Sequence, residues 1–286
     1  MEDVLYDIGF QLHARQWGMA GTARPILLVH GLSSNAQTWD GVARVLADLG
    51  HPVVAIDQRG HGRSEKLEIG YDFTTICRDL RNILAYLKWD DPLMIGQSWG
   101  GNVMLAFADL HPRISAGFVW VDGGYIDLQR YGPWEQVVVD LKPPPLAGMR
   151  LGALRDRLAK AHPEWSAEGI EGTLSNFEHL SDGTIRPWLA WSGHRQILQA
   201  MWQQRPLELY PKVQEPVLIV AAARGAEPDQ AKLDRVNEAA ELLPNGTAHW
   251  FTHTDHDIHV HRPKALAQLI HQFQTDHIDQ TDGDKS

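Results

Sequence analysis

A serine stands between two glycines where a predicted strand gives way to a predicted helix. The residues Gly96-Gln97-Ser98-Trp99-Gly100 fit the pattern G-x-S-x-G, with a β-type run before them and a helix-period run after them. A turn this sharp strains the backbone at the serine, and small residues on both sides let the hydroxyl stand above the sheet edge. A serine before a helix can also be a simple N-cap. The strand-turn-helix context predicts that Ser98 is a nucleophile.

A serine hydroxyl is a weak nucleophile until a base takes its proton, and a histidine held by a carboxylate is the usual base. His256 is the best-placed histidine, because it follows the last predicted strand and precedes Pro263, which opens the closing helix. We predict that His256 activates Ser98, and that activity rises with pH through an apparent pKa between about 6 and 7. The neighbouring histidines are interpreted as surface or loop residues: His253, His259 and His261.

Further motifs occur in a fixed order along the chain. His30-Gly31 follows a predicted strand, residues 57–64 form a Gly-rich turn (DQRGHGRS), and Asp255-His256 precede Arg262-Pro263. Together with the turn at Ser98, these motifs resemble the α/β-hydrolase family. The resemblance covers essentially the whole chain except the segment at residues 125–215.

The resemblance implies an oxyanion hole formed by the backbone N–H groups of Leu32 and Trp99. Two fixed donors would stabilise the charge that grows on a substrate carbonyl oxygen during attack. Haloalkane dehalogenases and epoxide hydrolases resemble this stretch but use Asp as nucleophile, so Ser98 predicts acyl transfer to water. Prolyl iminopeptidases also have Ser-Trp-Gly here, which leaves an aminopeptidase as an alternative.

The acid of the triad is where this sequence departs from the common pattern of the family. Most members place it about nine residues beyond the proline that opens the penultimate strand, and that count from Pro216 ends on Gly225. Asp122, which ends the strand after the nucleophile, occupies the position that some lactonases and haloalkane dehalogenases use. We predict Asp122 as the acid. Glu227 and Asp229 stay as alternatives, although Asp229 is also placed to cap the next helix.

The order of predicted elements indicates an α/β fold with a mostly parallel central sheet and helices on both faces. Two antiparallel strands are predicted within residues 3–17. The strand-helix alternation fails between residues 125 and 215, so we predict a helical cap inserted into a core made of residues 1–124 and 216–275. Residues 276–286 lack apolar anchors and are predicted to form a flexible tail.

Tryptophan is frequent in the predicted cap, which has five of the eleven in the chain. Aromatic cap residues facing Ser98 would form an apolar pocket for an acyl or alcohol group. The same residues could instead hold the small core of the cap together. They are Trp134, Trp165, Trp188, Trp191 and Trp202.

Composition excludes several classes of protein. The 286 residues have a net charge of −10 and no cluster of Lys and Arg, which argues against a nucleic-acid partner. No apolar run approaches the ~18 residues of a membrane span. A single cysteine, Cys77, and a start without the basic region and apolar core of a signal peptide favour a cytoplasmic location. The sequence does not set the oligomeric state.

These patterns predict a serine hydrolase without cofactor or metal that cleaves carboxylic esters, lactones included, with a small apolar or aromatic ester as its substrate. The stretch His253-Thr254-Asp255-His256 resembles part of the H-x-H-x-D-H signature of zinc lactonases, but Phe251 stands where its first histidine should be. Amide or carbon–carbon bond cleavage on the same triad is one alternative. A non-catalytic ligand receptor with the hydrolase fold is another.

Overall fold

A computed structural model describes residues 1–279, which are built around an eight-stranded sheet. Its strands are β1 (Glu2–Asp7), β2 (Gln11–Trp17), β3 (Ile26–Val29), β4 (Val53–Ile56), β5 (Leu93–Gln97), β6 (Gly117–Val121), β9 (Val217–Ala222) and β10 (Gly246–Phe251). The spatial order is β1-β2-β4-β3-β5-β6-β9-β10, with β2 antiparallel to both neighbours and all other pairs parallel. This arrangement confirms the predicted mostly parallel α/β sheet, including its two antiparallel opening strands.

Helices cover both faces of the sheet. Helices α1 and α11 pack on one face, and α2, α3 and α9 pack on the other. The helices are α1 (Asp40–Asp48), α2 (Phe73–Leu87), α3 (Trp99–Leu110), α4 (Trp134–Asp140), α5 (Leu151–Ala161), α6 (Ala167–Leu174), α7 (Trp191–Gln203), α8 (Pro206–Leu209), α9 (Gln230–Leu242), α10 (Ile258–His261) and α11 (Pro263–Gln274).

The middle strands are buried on both faces, which explains why they read as continuous apolar runs. Along β5, Met94 packs into one core and Ile95 into the other. Strands β5 and β6 are parallel neighbours, so their carboxyl ends meet at one edge of the sheet. At that edge the backbone N–H of Ser98 donates to the carbonyl of Val121 at 2.9 Å.

The segment at residues 125–215 contains five helices and one small sheet. The antiparallel pair β7 (Phe177–His179) and β8 (Ile185–Pro187) was not part of the predicted helical cap. Its loop consists of Ser181, Asp182 and Gly183, in which the Gly183 N–H donates to the Leu180 carbonyl at 3.0 Å. Glycine suits the last position of such a loop because φ is positive there, here +79°. Asp182 Oδ1 also accepts from the backbone N–H of Thr184 at 2.9 Å.

The predicted flexible tail is wrong for its first residues. After α11 the chain continues as a π-helical turn over Thr275–Asp279, and Ile278 is 2% exposed against the sheet. Ile278 is therefore the apolar anchor that the sequence analysis missed. Residues 280–286 lie outside the described part of the chain. Within residues 1–279, no helix combines the length and apolar character needed to cross a membrane.

Candidate active site

Ser98 occupies the tight turn between β5 and α3. Its φ of +53° and ψ of −120° lie in a region that side-chain-bearing residues rarely adopt, at a cost on the order of 1–3 kcal/mol. Glycine is required beside it, because a Cβ atom on Gly96 would lie 2.1 Å from the carbonyl oxygen of Gly100. The Ser98 side chain makes no capping hydrogen bond to α3. The turn therefore presents the hydroxyl at the sheet edge without using it to begin the helix.

His256 and Asp122 meet at the same edge of the sheet. His256 Nδ1 lies 2.6 Å from Asp122 Oδ2. Asp122 directly follows β6 and its side chain is 2% exposed, whereas His256 lies in the loop after β10 with 46% of its side chain exposed. Because β6 is next to β5, the structure brings together the predicted nucleophile Ser98, the predicted base and the predicted acid.

Three further groups hold the carboxylate of Asp122. Tyr125 Oη and the backbone N–H of Ala222 donate to its Oδ1 at 2.6 and 2.9 Å, and Lys232 Nζ lies 2.7 Å from the same oxygen. Burial alone would raise the pKa of Asp122, but the hydrogen bonds and charges of His256 and Lys232 lower it to about 2. Asp122 is therefore ionised throughout the neutral range.

Tyr125 and Lys232 were missed by the sequence analysis. Lys232 lies in the first turn of α9, and its ammonium also donates to the carbonyl of Ala222 at 2.7 Å. The loop before this helix contains Glu227 and Asp229, the alternative acids of the sequence analysis. Here a lysine reaches back from the helix to an acid on the neighbouring strand.

The two alternative acids line a cleft together with His256 but are not bonded to it in the described part of the chain. Asp229 Oδ1 accepts from the backbone N–H of Lys232 at 2.9 Å and so caps α9. Glu227 lines an open cleft of about 450 Å³ beside Asp122. Within residues 1–279, no hydrogen bond or ion pair joins Glu227 or Asp229 to His256. Their positions argue against either one as the partner of the histidine.

Ser98 and His256 line one cavity of about 220 Å³. No hydrogen bond among residues 1–279 joins Ser98 Oγ to the His256 ring, as is common in sites without substrate. In the same part of the chain, the backbone N–H groups of Leu32 and Trp99 donate to no protein acceptor, which leaves both for a substrate oxygen. The other polar lining residues are Ser33, Ser34, Thr38, Gln97, Thr173, Asn176 and Asp257.

None of the five cap tryptophans predicted to form the pocket lines this cavity in the described part of the chain, and all but Trp188 are also absent from the cavity beside it. Trp165 stacks on His162 and belongs to a small core of the cap. Trp134 and Trp202 pack against each other, with ring centroids 6.4 Å apart. Trp191 is 39% exposed. Packing within the cap itself accounts for Trp134, Trp165 and Trp202.

Trp188 lines a second, mainly apolar cavity of about 160 Å³. This cavity shares Ser33, Ser34 and Asn176 with the cavity at Ser98, so the two adjoin. Its apolar walls come from Pro143, Pro144, Leu146, Phe177, Pro187 and Leu189. The site therefore has a polar chamber at Ser98 and an apolar chamber beside it.

Comparisons with solved structures agree with this fold. The chain is similar to the crystal structure of E-2-(acetamidomethylene)succinate hydrolase, with a TM-score of 0.80 at 23% identity over 96% of this chain and 99% of that one. It is also similar to the enol-lactonase from Burkholderia xenovorans LB400, with a TM-score of 0.70 at 19% identity over 96% and 100% of the two chains.

Comparisons of sequence identify relatives of this chain and the family to which it belongs. The 2-(acetamidomethylene)succinate hydrolase of Mesorhizobium japonicum is 24% identical over 261 residues, or 88% of each protein. The non-heme chloroperoxidase of Kitasatospora aureofaciens is 31% identical over 103 residues, or 36% of each. For it and several other curated relatives, the match spans only about a third of their length. The model of the alpha/beta hydrolase family matches residues 26–269, which include Ser98, Asp122 and His256, and the chain therefore belongs to this family.

Proposed function

We propose that this protein is a serine hydrolase that cleaves carboxylic esters, lactones included, through an acyl-enzyme on Ser98. The observation that carries the proposal is the placement of His256. Its Nδ1 lies 2.6 Å from Asp122 Oδ2, and its ring lines the same cavity as Ser98, which stands on a strained turn. The similarity to an enol-lactonase supports the inclusion of lactones.

The first half-reaction forms the acyl-enzyme. His256 Nε2 takes the proton of Ser98 Oγ as that oxygen attacks the carbonyl carbon. The backbone N–H groups of Leu32 and Trp99 stabilise the negative charge on the carbonyl oxygen. Asp122 accepts from His256 Nδ1 and so keeps Nε2 free to accept a proton. The alcohol leaves with the proton that the histidine has taken.

The second half-reaction releases the acid. His256, neutral again, takes a proton from a water molecule as that water attacks the acyl carbon. The collapse of the second tetrahedral intermediate returns the proton to Ser98 Oγ. Asp122 stays ionised in both halves, because its pKa of about 2 lies far below neutral pH.

The test is a panel of p-nitrophenyl esters, aliphatic lactones and p-nitroanilides, combined with labelling by a fluorophosphonate and peptide mass spectrometry. We expect turnover of esters or lactones to exceed that of the anilides, with the label on Ser98. Labelling with no turnover of any of these would instead favour a receptor or a carbon–carbon bond hydrolase. Faster cleavage of anilides would favour the amidase alternative.

The pH profile should depend on Lys232. Burial lowers the pKa of His256, but its hydrogen bond to Asp122 outweighs that effect and raises the pKa above the usual value near 6.5. Only the neutral histidine accepts a proton, so kcat/KM should rise with pH through this raised pKa. Lys232→Met removes a nearby positive charge and should move that rise to higher pH by about 0.5 to 1 unit.

The matched control is Lys232→Arg, which keeps the charge and should leave the midpoint of the rise near that of the wild type. The measurement is kcat/KM for one soluble ester between pH 5 and pH 10, with thermal melts recorded for each variant. A midpoint that stays in place in Lys232→Met would contradict the electrostatic role of Lys232.

Trp188 should affect large substrates more than small ones. Trp188→Ala removes one wall of the apolar chamber, so KM for a p-nitrophenyl octanoate should rise about tenfold while p-nitrophenyl acetate changes little. Trp191→Ala is the control, because Trp191 is exposed and lines neither chamber. Equal losses for both esters, with a lower melting temperature, would assign Trp188 to the cap core instead.

A further inference from the structure

The cavity beside Ser98 contains a carboxylate that the proposed mechanism does not use. Asp257 lines this cavity among hydroxyl and amide side chains, and no lysine or arginine of residues 1–279 lines it. Asp257 precedes α10 but makes no capping hydrogen bond to it. The Asp257 carboxylate accepts one long hydrogen bond, from Gln97 Nε2 to Oδ1 at 3.4 Å. The carboxylate is thus left for a molecule that enters the cavity.

The charged groups around Asp257 are paired with one another. Asp122 is held by His256 and Lys232, and Asp255 lies 3.0 Å from His162 Nδ1. No ion pair within residues 1–279 includes Asp257. Burial raises the pKa of the Asp257 carboxyl, and the nearby His256 and His162 offset that effect only in part. A positive group in the cavity would supply the missing partner.

We propose that Asp257 selects substrates with a positive charge, so that the polar chamber takes an ester with an ammonium group in its acyl or alcohol part. The inference rests on the proposed ester hydrolysis and adds the substrate class. A chamber of this volume is only ~7 Å across, which is less than the screening length of about 8 Å at physiological ionic strength. Every group bound there experiences the charge of Asp257, and a carboxylate on the substrate is repelled.

The test compares three p-nitrophenyl esters whose acyl chains differ in charge. The 4-(trimethylammonio)butanoate is cationic, the 5,5-dimethylhexanoate is its neutral isostere, and the monoester of hexanedioic acid is anionic. At pH 8.5, kcat/KM for the cation should exceed that for the neutral ester about tenfold, with the anion lowest. Butyrylcholine against 3,3-dimethylbutyl butyrate repeats the comparison with the charge on the alcohol.

Asp257→Asn should remove the selectivity. We expect the cation-to-neutral ratio of kcat/KM to fall to about one and the anion-to-neutral ratio to rise by about tenfold. Asp255→Asn is the matched control, because it also removes one carboxylate charge, two residues before Asp257. The Asp255 carboxylate pairs with His162 and does not line the cavity. Ratios of kcat/KM are compared within each variant, so a general loss of activity does not imitate the effect.

Three results would overturn the inference. They are equal rates for the cation and its neutral isostere in both series, a preference for the anion in the wild type, and an Asp255→Asn variant that changes the ratios as much as Asp257→Asn. The proposed function fails separately, if the neutral ester is not hydrolysed at all or if its hydrolysis persists in a variant without the Ser98 hydroxyl.

Discussion

Ser98→Ala should abolish turnover while leaving the fold intact. The variant keeps the turn, since Ala is no larger than Ser and adopts a positive φ at a similar cost. It removes the atom that forms the acyl-enzyme in the proposed mechanism, so kcat should fall by at least about 10⁴. Removal of the serine nucleophile from another triad lowers kcat by about 10⁶. The measurement is kcat for the best ester of the panel, with circular dichroism and thermal melts to show that the fold persists.

Ser34→Ala is the control for this experiment, because Ser34 lines the same cavity and its Oγ makes only a 3.5 Å contact with Thr38. Loss of that hydroxyl should change kcat by no more than a few-fold. Retention of more than a few per cent of the activity by Ser98→Ala would refute the serine mechanism, whatever the control does.

The second large effect is expected at Asp122. Asp122→Asn keeps the size of the side chain and removes the charge that orients His256. An amide nitrogen opposite Nδ1 would favour the tautomer with its proton on Nε2, which cannot accept a proton from Ser98. We expect kcat to fall by up to about 10⁴, as has been found for this replacement in another triad. The measurement is kcat at neutral pH on the ester used for Ser98→Ala.

Glu227→Gln and Asp229→Asn serve as matched controls, because each removes one of the two carboxylates that the sequence analysis kept as alternative acids. Both should keep kcat within a few-fold of the wild type, and Asn at position 229 still caps α9 well. A near wild-type rate in Asp122→Asn, with a collapse in either loop variant, would assign the acid to the loop after β9.

Sequence patterns were sufficient to predict much of the fold and to place three residues at the candidate site. The turn at Ser98 could be predicted because its glycines are a steric requirement, and the loop of His256 because Pro263 opens the next helix. Asp122 could be predicted because parallel neighbouring strands bring their carboxyl ends together. The predictions for Ser98 and His256 depend on geometry that a few consecutive residues impose, and the prediction for Asp122 depends on the parallel pairing of β5 and β6.

The missed features depend on contacts between distant parts of the chain. Lys232 lies 110 residues from Asp122, and nothing in the first turn of a helix indicates which strand its ammonium reaches. Trp134 and Trp165 look alike in the sequence as pocket residues, because burial in a cap core and burial over a substrate require the same apolar side chain. Aspartate is a common N-cap residue, and only the structure shows that the Asp257 side chain makes no capping hydrogen bond to α10.

The position of Asp122 has a consequence for how this enzyme could be engineered. Because His256 Nδ1 is paired with Asp122, which directly follows a strand of the sheet, the proposed mechanism uses neither of the exposed residues Ala226 and Glu227. The hydrogen bonds that tie this loop to the histidine loop end at Gly225, whose carbonyl accepts from His253 N–H at 3.0 Å. A reporter peptide or affinity tag could therefore be inserted after Ala226 without breaking the hydrogen bond between Asp122 and His256.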